Sequence, residues 1–224
     1  MGREELYRFL KGFVVSAIIF AIFSLYLFLR RGYFNLYIAN KVFGSTAVLL
    51  SGITLVIGIL SKKYTFLASF MTIRRHLGLL ALGFAVIHVV LSLTQQNKFP
   101  FPQWYLSHWI PILFGIAAVI AWFYLMWISR NSKIKEMGVE IWKRNLSLFS
   151  RFAFFAIFLH LTVMKYEGWI RWLKGQTKQT AELQNPSYPP ASLFVFLIMI
   201  GVIAFRFVAG ILRKKKQHQQ RLQC

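Results

Sequence analysis

Six long apolar segments, separated by short polar or basic connections, dominate the hydrophobic pattern of the chain. They run approximately over Phe13–Leu29, Val42–Leu60, Leu77–Thr94, Trp109–Ile128, Leu146–Met164 and Ala191–Leu212. A helix rising about 1.5 Å per residue needs about 20 such residues to cross a bilayer. The pattern therefore predicts an all-α integral membrane protein, a six-transmembrane-helix bundle filling residues 1–224 as a single domain. The fifth segment is the least regular, because its charge-free part runs only from Phe152 to Met164. Arg151 must snorkel for it to span. The first segment is long for a secretory h-region and is followed by Arg30, Arg31 and Gly32 without a small-residue cleavage site, so it reads as a helix.

Composition supports the membrane class, since 57% of residues are apolar, 15% are charged and mean hydropathy is +0.55. The formal charge of +21 arises from 27 Lys and Arg against six acids, all of them Glu. Nucleic-acid binding would need a soluble basic face with its own core, which the pattern lacks. The basic residues act instead as topology marks. Eighteen Lys and Arg fall on the side that carries the two termini and eight on the other, with Arg206 inside the sixth segment. The positive-inside rule then places both termini in the cytoplasm of a multi-pass plasma (inner) membrane protein. The tail RKKKQHQQR serves as a topology anchor and is also suited to anionic lipid. Cys224, the single cysteine, excludes an internal disulfide, a Cys-ligated zinc and an iron–sulfur cluster within this chain.

The longest external stretch, Tyr166–Pro190, begins with an aromatic and basic run. Trp169, Ile170, Trp172 and Leu173, interleaved with Arg171 and Lys174, suit a short helix in the outer interface. No internal repeat stands out.

Ionisable residues inside spans point to function because they are costly to bury. None of the six Glu lies in a span, which leaves no machinery for a carboxylate-based proton pump or an intramembrane aspartyl protease. Motifs for serine or zinc proteolysis and for nucleotide binding are also missing. Arg206 is expected to snorkel to the inner interface. Of five histidines, only His88 and His160 lie deep in apolar sequence, and both fall in the outer half of the bilayer at similar depth. One buried histidine is usually a packing residue. Two at one level, with no carboxylate to pair them, suggest a shared metal or cofactor.

The helix faces agree. Ala81, Phe84 and Ala85 share the His88 face, and Phe149, Ala153, Ala156 and Met164 share that of His160. Small residues leave room for a flat macrocycle and aromatic ones wall it, although small residues also permit close helix packing. A six-coordinate b-type haem needs two neutral imidazoles on different helices at one level, which this pair offers. Zinc fits less well because no nearby Cys, Asp or Glu completes four ligands.

Three stretches, FGSTAVLLSG, IRRHLGLLALGFAVIHVVL and LSLFSRFAFFAIFLHL, resemble the ferric reductase-like transmembrane domain family. That family includes the haem-binding membrane subunit of the periplasmic methionine sulfoxide reductase system and the membrane domains of ferric reductases and NADPH oxidases. The resemblance spans about residues 40–212. It implies haem ligation by the third and fifth spans, assigning His88 and His160 to the outer haem. Members with two haems carry a second His on each helix about 13 or 14 residues earlier, where this chain has Arg74 or Arg75 and Ser147. His76 lies roughly 120° off the His88 face and substitutes poorly. One haem b is expected.

The resulting expectation is an electron-transfer subunit of an oxidoreductase, without its own flavin or nicotinamide domain. His88 and His160 would be axial ligands, with Phe84, Ala85, Phe149 and Ala156 lining the cofactor. Electrons would come from a membrane quinol or from a flavin supplied by a separate reductase, and pass to an external redox acceptor near Tyr166–Pro190. Alternatives are a haem-free scaffold or assembly subunit, or a small-molecule transporter using Ser51, Thr54 and Ser92.

Overall fold

The computed structural model describes residues 2–222 except 62, 63 and 96. Cys224 and most side chains of the RKKKQHQQR tail, His218 among them, lie outside the described residues. The described elements are helices α1 (Arg3–Arg31), α2 (Leu36–Leu60), α3 (Ala68–Met71), α4 (Arg74–Thr94), α5 (Gln103–Ser107), α6 (Trp109–Ile128), α7 (Asn131–Met137), α8 (Val139–Leu173) and α9 (Ala191–Leu222). A 3-10 turn, Thr65–Leu67, precedes α3. No strand occurs among the described residues, apart from an isolated bridge between Thr180 and Leu183. Six helices, α1, α2, α4, α6, α8 and the Ala191–Leu212 part of α9, are long and apolar enough to cross a membrane. The protein is a multi-pass helical membrane protein.

The connection from α1 to α2 shows how local sequence sets these boundaries. Gly32 ends α1 in the left-handed region at φ 81°, its N–H donating to the Phe28 carbonyl. Asn35 then caps α2, its side chain accepting from the Ile38 N–H at 3.0 Å. The α2 helix sits at the centre and packs on α1, α4, α8 and α9. In its most apolar window 44% of residues are buried, against 17% in α6, so α6 shows far more of itself to lipid. Ile38, Val42, Leu50 and Leu77, together with Met199 from α9, are fully buried in the shared core. Outward side chains such as Ile22, Leu25, Ile120 and Phe207 are large, apolar and exposed, as lipid-facing positions require.

Two expectations are corrected. The EGWIRWL run does not form a separate interfacial helix. It continues α8 to Leu173, because Gly168 keeps a negative φ and no proline or left-handed residue intervenes before Gly175 at φ 65°. Trp169 is consequently buried against α9, its indole N–H donating to Ser192 Oγ at 2.9 Å. Arg206 does not reach freely toward headgroups either, because its guanidinium donates to the Leu55 carbonyl of α2 at 2.6 Å. Arg74 makes the equivalent contact from α4, donating to the Thr54 carbonyl at 2.9 Å. Gly58 provides the notch, since a Cβ there would stand 3.2 Å from the Arg74 guanidinium.

The long loop before α9 is tied down over the end of α1. Arg31 donates to the Glu182 carbonyl at 2.7 Å, Asn185 to the Leu29 carbonyl at 2.6 Å and Arg30 to the Tyr188 carbonyl at 2.9 Å. Tyr26 adds a bond to the Pro189 carbonyl at 2.6 Å. Gln184 packs into the space left by the missing Cβ of Gly32. A salt bridge of 2.7 Å joins Glu182 to Lys98 in the loop after α4, so the two loops close the same end of the bundle. Lys98 holds the exposed Glu182 carboxyl below its ordinary value.

Candidate functional site

The two deep histidines sit in matching cradles. His88 on α4 places Nδ1 3.0 Å from the carbonyl oxygen of Asn40, the fifth residue of α2. His160 on α8 places Nδ1 2.7 Å from the carbonyl oxygen of Pro111, the third residue of α6. A carbonyl only accepts, so each bond requires Nδ1 to carry the proton. Each Nε2 is thereby left with its lone pair. Neither Nε2 has a hydrogen-bond partner among the described residues.

What admits the rings is a glycine one helical turn beyond each carbonyl. A Cβ on Gly44 would lie 3.1 Å from His88 Nδ1, and a Cβ on Gly115 would lie 3.1 Å from His160 Nδ1. In an α-helix the N–H of residue i+4 addresses the carbonyl of residue i. Each imidazole therefore takes the second lone pair of a carbonyl already used by the ladder, and it approaches without displacement because residue i+4 has no side chain. The device occurs twice, in Asn40-Lys41-Val42-Phe43-Gly44 and in Pro111-Ile112-Leu113-Phe114-Gly115. This local repeat was invisible as a repeat of helices. It was legible as a Phe-Gly pair on the span preceding each histidine, a signal the sequence reading missed along with Asn40, Pro111, Gly44 and Gly115.

The pairing of helices sets where the two cradles lie. The most extensive contacts are α2 with α4 and α6 with α8, so the bundle contains two tight hairpins of spans. These hairpins meet through α2 with α8 and α4 with α6, while α4 and α8, which carry the histidines, barely touch. Both rings lie toward the end closed by the Glu182 loop.

The other expected lining residues separate into two groups. Ala85 and Ala156 are buried close to their histidines along α4 and α8. Phe84, one turn from His88, belongs to an aromatic cluster with Phe20 at 5.9 Å and Phe43 at 5.6 Å between ring centroids. Phe149 is 11 residues from His160, about 16 Å along a straight helix. It pairs instead with Tyr124 of α6 at 4.3 Å, so the structure does not bring it to the histidines. A common face on a helical wheel says nothing of depth, and depth separates Phe149 from the site.

The remaining histidines have other surroundings. His76 faces α1, with its ring edge against Phe9 and its Cβ 3.4 Å from where a Gly12 Cβ would be. His108 stacks on Trp104 at 4.5 Å and its Nδ1 lies 2.9 Å from the Trp104 carbonyl. Ser51 and Ser92 return their hydroxyls to the carbonyls of Ala47 and His88, and Thr54 to that of Ser51. No three His, Cys, Asp or Glu side chains converge among the described residues.

Asn40 also donates through its side-chain amide to Ser92 Oγ at 2.9 Å, which ties α2 to α4 beside His88. Its backbone, not its amide, holds the imidazole. Asn40→Ala is therefore expected to lower stability by about 0.6 kcal/mol, typical of an interhelical hydrogen bond in a membrane. It should leave His88 in place, which unfolding in graded denaturing detergent, with the state of His88 followed by NMR, would check.

No protein-family model matches the chain, and no curated protein matches it.

Proposed function

We propose that the protein is a membrane haem b protein of the ferric reductase-like kind, carrying electrons through the outer half of the plasma membrane. The observation that carries this reading is the paired cradle. Metal-ligating histidines typically donate their second ring N–H to a carbonyl or carboxylate, which fixes the tautomer and aims the other nitrogen at the metal. His88 and His160 are both arranged in that way, on two helices that are not directly packed on each other. Two ligands are too few for a zinc site built by protein alone. They suffice for an iron whose other four ligands come from a macrocycle.

Bound haem would supply a one-electron redox centre. The chain's own part is to hold that centre and govern access to it. His88 and His160 would hold the iron, the carbonyls of Asn40 and Pro111 would fix the rings, and the small side chains of Ala85 and Ala156 would leave room beside them. The loop fastened by Arg30, Arg31 and Asn185 covers the same end and sets how closely an external acceptor approaches. With the termini in the cytoplasm, the donor would be a quinol in the membrane or a separate flavin reductase. Ser51, Thr54 and Ser92 have their hydroxyls on backbone carbonyls, so nothing in their placement favours a transport path.

The direction of transfer is testable in vesicles. Protein reconstituted in one orientation and reduced chemically should be reoxidised promptly by ferricyanide, a membrane-impermeant acceptor, added on the side of the Glu182 loop. Addition on the side of the termini should act much more slowly. Equal rates from both sides, or no redox-active chromophore, would reject the reading.

A further inference from the structure

Beyond the two histidines, the end of the bundle closed by the Glu182 loop holds two lysines, Lys41 and Lys165, that the Glu182–Lys98 salt bridge leaves unpaired. Lys41 directly follows Asn40, whose carbonyl holds His88. Its side chain runs back toward the start of α2, with Nζ 3.9 Å from the Tyr37 ring centre. Lys165 lies five residues beyond His160 on α8, about 7.5 Å further toward the same end. Both are half-buried, and neither enters any ion pair among the described residues. Lys165 has no hydrogen-bond or aromatic partner there either.

Arg30 and Arg31, at the end of α1, stand at this same end of the bundle, where they donate to the carbonyls of Tyr188 and Glu182. Two acids lie at this end: the Glu182 carboxylate is engaged by Lys98 at 2.7 Å, and Glu167, two residues beyond Lys165 on α8, accepts from the Tyr166 hydroxyl at 3.3 Å and forms no ion pair with Lys165. Cations half-buried at the edge of a bilayer favour anions, because taking an unpaired charge out of water is costly. With neither carboxylate paired to Lys41 or Lys165, both remain open to an anionic ligand.

Resting on the haem reading, we propose that Lys41 and Lys165 form a carboxylate-receiving rim for the propionate groups of the tetrapyrrole held between His88 and His160. The placement carries the inference: one lysine adjoins the residue that fixes one imidazole, and the other follows the second imidazole along its own helix. Lys41 reaches toward the polar end of the bundle, and Lys165 stands about 7.5 Å nearer to that end than His160, where a macrocycle held by the two rings would turn its charged edge. The rim fixes which edge of the macrocycle enters first. It also surrounds the centre with positive charge, which favours the reduced form.

The test compares haem with its dimethyl ester, which has the same iron and ring but no carboxylates. Apoprotein from haem-deficient cells is loaded with each, and release to excess apomyoglobin is followed by absorption. Wild-type protein should release the ester at least ten-fold faster than haem, because a charge-assisted hydrogen bond is typically worth a factor of that order. Lys41→Met with Lys165→Met should release both at the same rate. Lys41→Arg with Lys165→Arg, which keeps both charges and guards against loss of folding, should restore the preference. Equal release of haem and ester by wild-type protein would overturn the rim, as would a preference unchanged in the Met variant. If wild-type protein forms no low-spin spectrum with either compound, the haem reading fails and the rim falls with it. A normal spectrum with an unaltered preference overturns the rim alone.

Discussion

Replacing either deep histidine, as His88→Ala or His160→Ala, should reduce haem content to background while the bundle still inserts. Loss of hydrogen-bonding groups around a metal ligand already costs 10- to 100-fold in affinity, so loss of the ligand itself should cost at least about 100-fold. Insertion should survive because each substitution lowers the polarity of its span. The two variants should behave alike, since the cradles at Asn40 and Pro111 match in geometry. The check is haem per chain in purified protein, with membrane yield measured beside it. His76→Ala and His108→Ala serve as controls and should keep full haem content, because His76 faces Phe9 and His108 stacks on Trp104. Retention of wild-type haem by both His88→Ala and His160→Ala would remove the ligand assignment.

Gly44→Leu and Gly115→Leu form the second decisive pair. Neither glycine would touch haem iron, and neither has a positive φ. Each matters because a Cβ would stand 3.1 Å from the Nδ1 of its histidine, tighter than ordinary van der Waals contact. A leucine adds branches that cannot be placed without pushing the ring off its carbonyl. The imidazole would lose both its position and its fixed tautomer, and haem affinity should fall by about 10- to 100-fold. Alanine at either position should give a smaller loss, because a shift of a few tenths of an ångström accommodates it. Gly78 and Gly83, on α4 itself, meet nothing that a Cβ would disturb, so Gly83→Ala should leave the spectrum unchanged. Haem titration of apoprotein would separate these cases. Equal affinity for wild type and both leucine variants would mean that the cradles do not position the rings.

The bundle was readable from sequence because spanning a membrane imposes a strong constraint. Backbone polar groups in lipid must be satisfied internally, which leaves long apolar runs as the signature of helices. The six spans accordingly appear where the apolar runs lie. Helix ends were less legible, since α8 runs from Val139 to Leu173 whereas its apolar run covers only its middle. Polar residues do not stop a helix unless they supply an alternative backbone geometry. At Leu173 the stop comes from Gly175, not from the charges around it.

The histidine pair was legible for a related reason: few ionisable groups lie in the spans, so those present stand out. Their supports were not. Gly44 and Gly115 act through the absence of a side chain, and Asn40 and Pro111 act through backbone carbonyls, which no residue type announces. Phe149 shows the opposite failure. Its angular position on α8 matched that of His160, but three turns of helix separate them. Arg74 and Arg206 were visible as charges, yet their partners, the Thr54 and Leu55 carbonyls, depend on how α4 and α9 pack on α2.

The central claim is that His88 and His160 together hold one b-type haem. It is tested most directly by a dithionite-reduced minus air-oxidised absorption spectrum of protein purified from haem-replete cells, with haem quantified per chain. The account predicts a low-spin b-type difference spectrum at about one haem per chain, as expected for an iron with two imidazole ligands. Protein that inserts normally yet carries no haem under those conditions would contradict it.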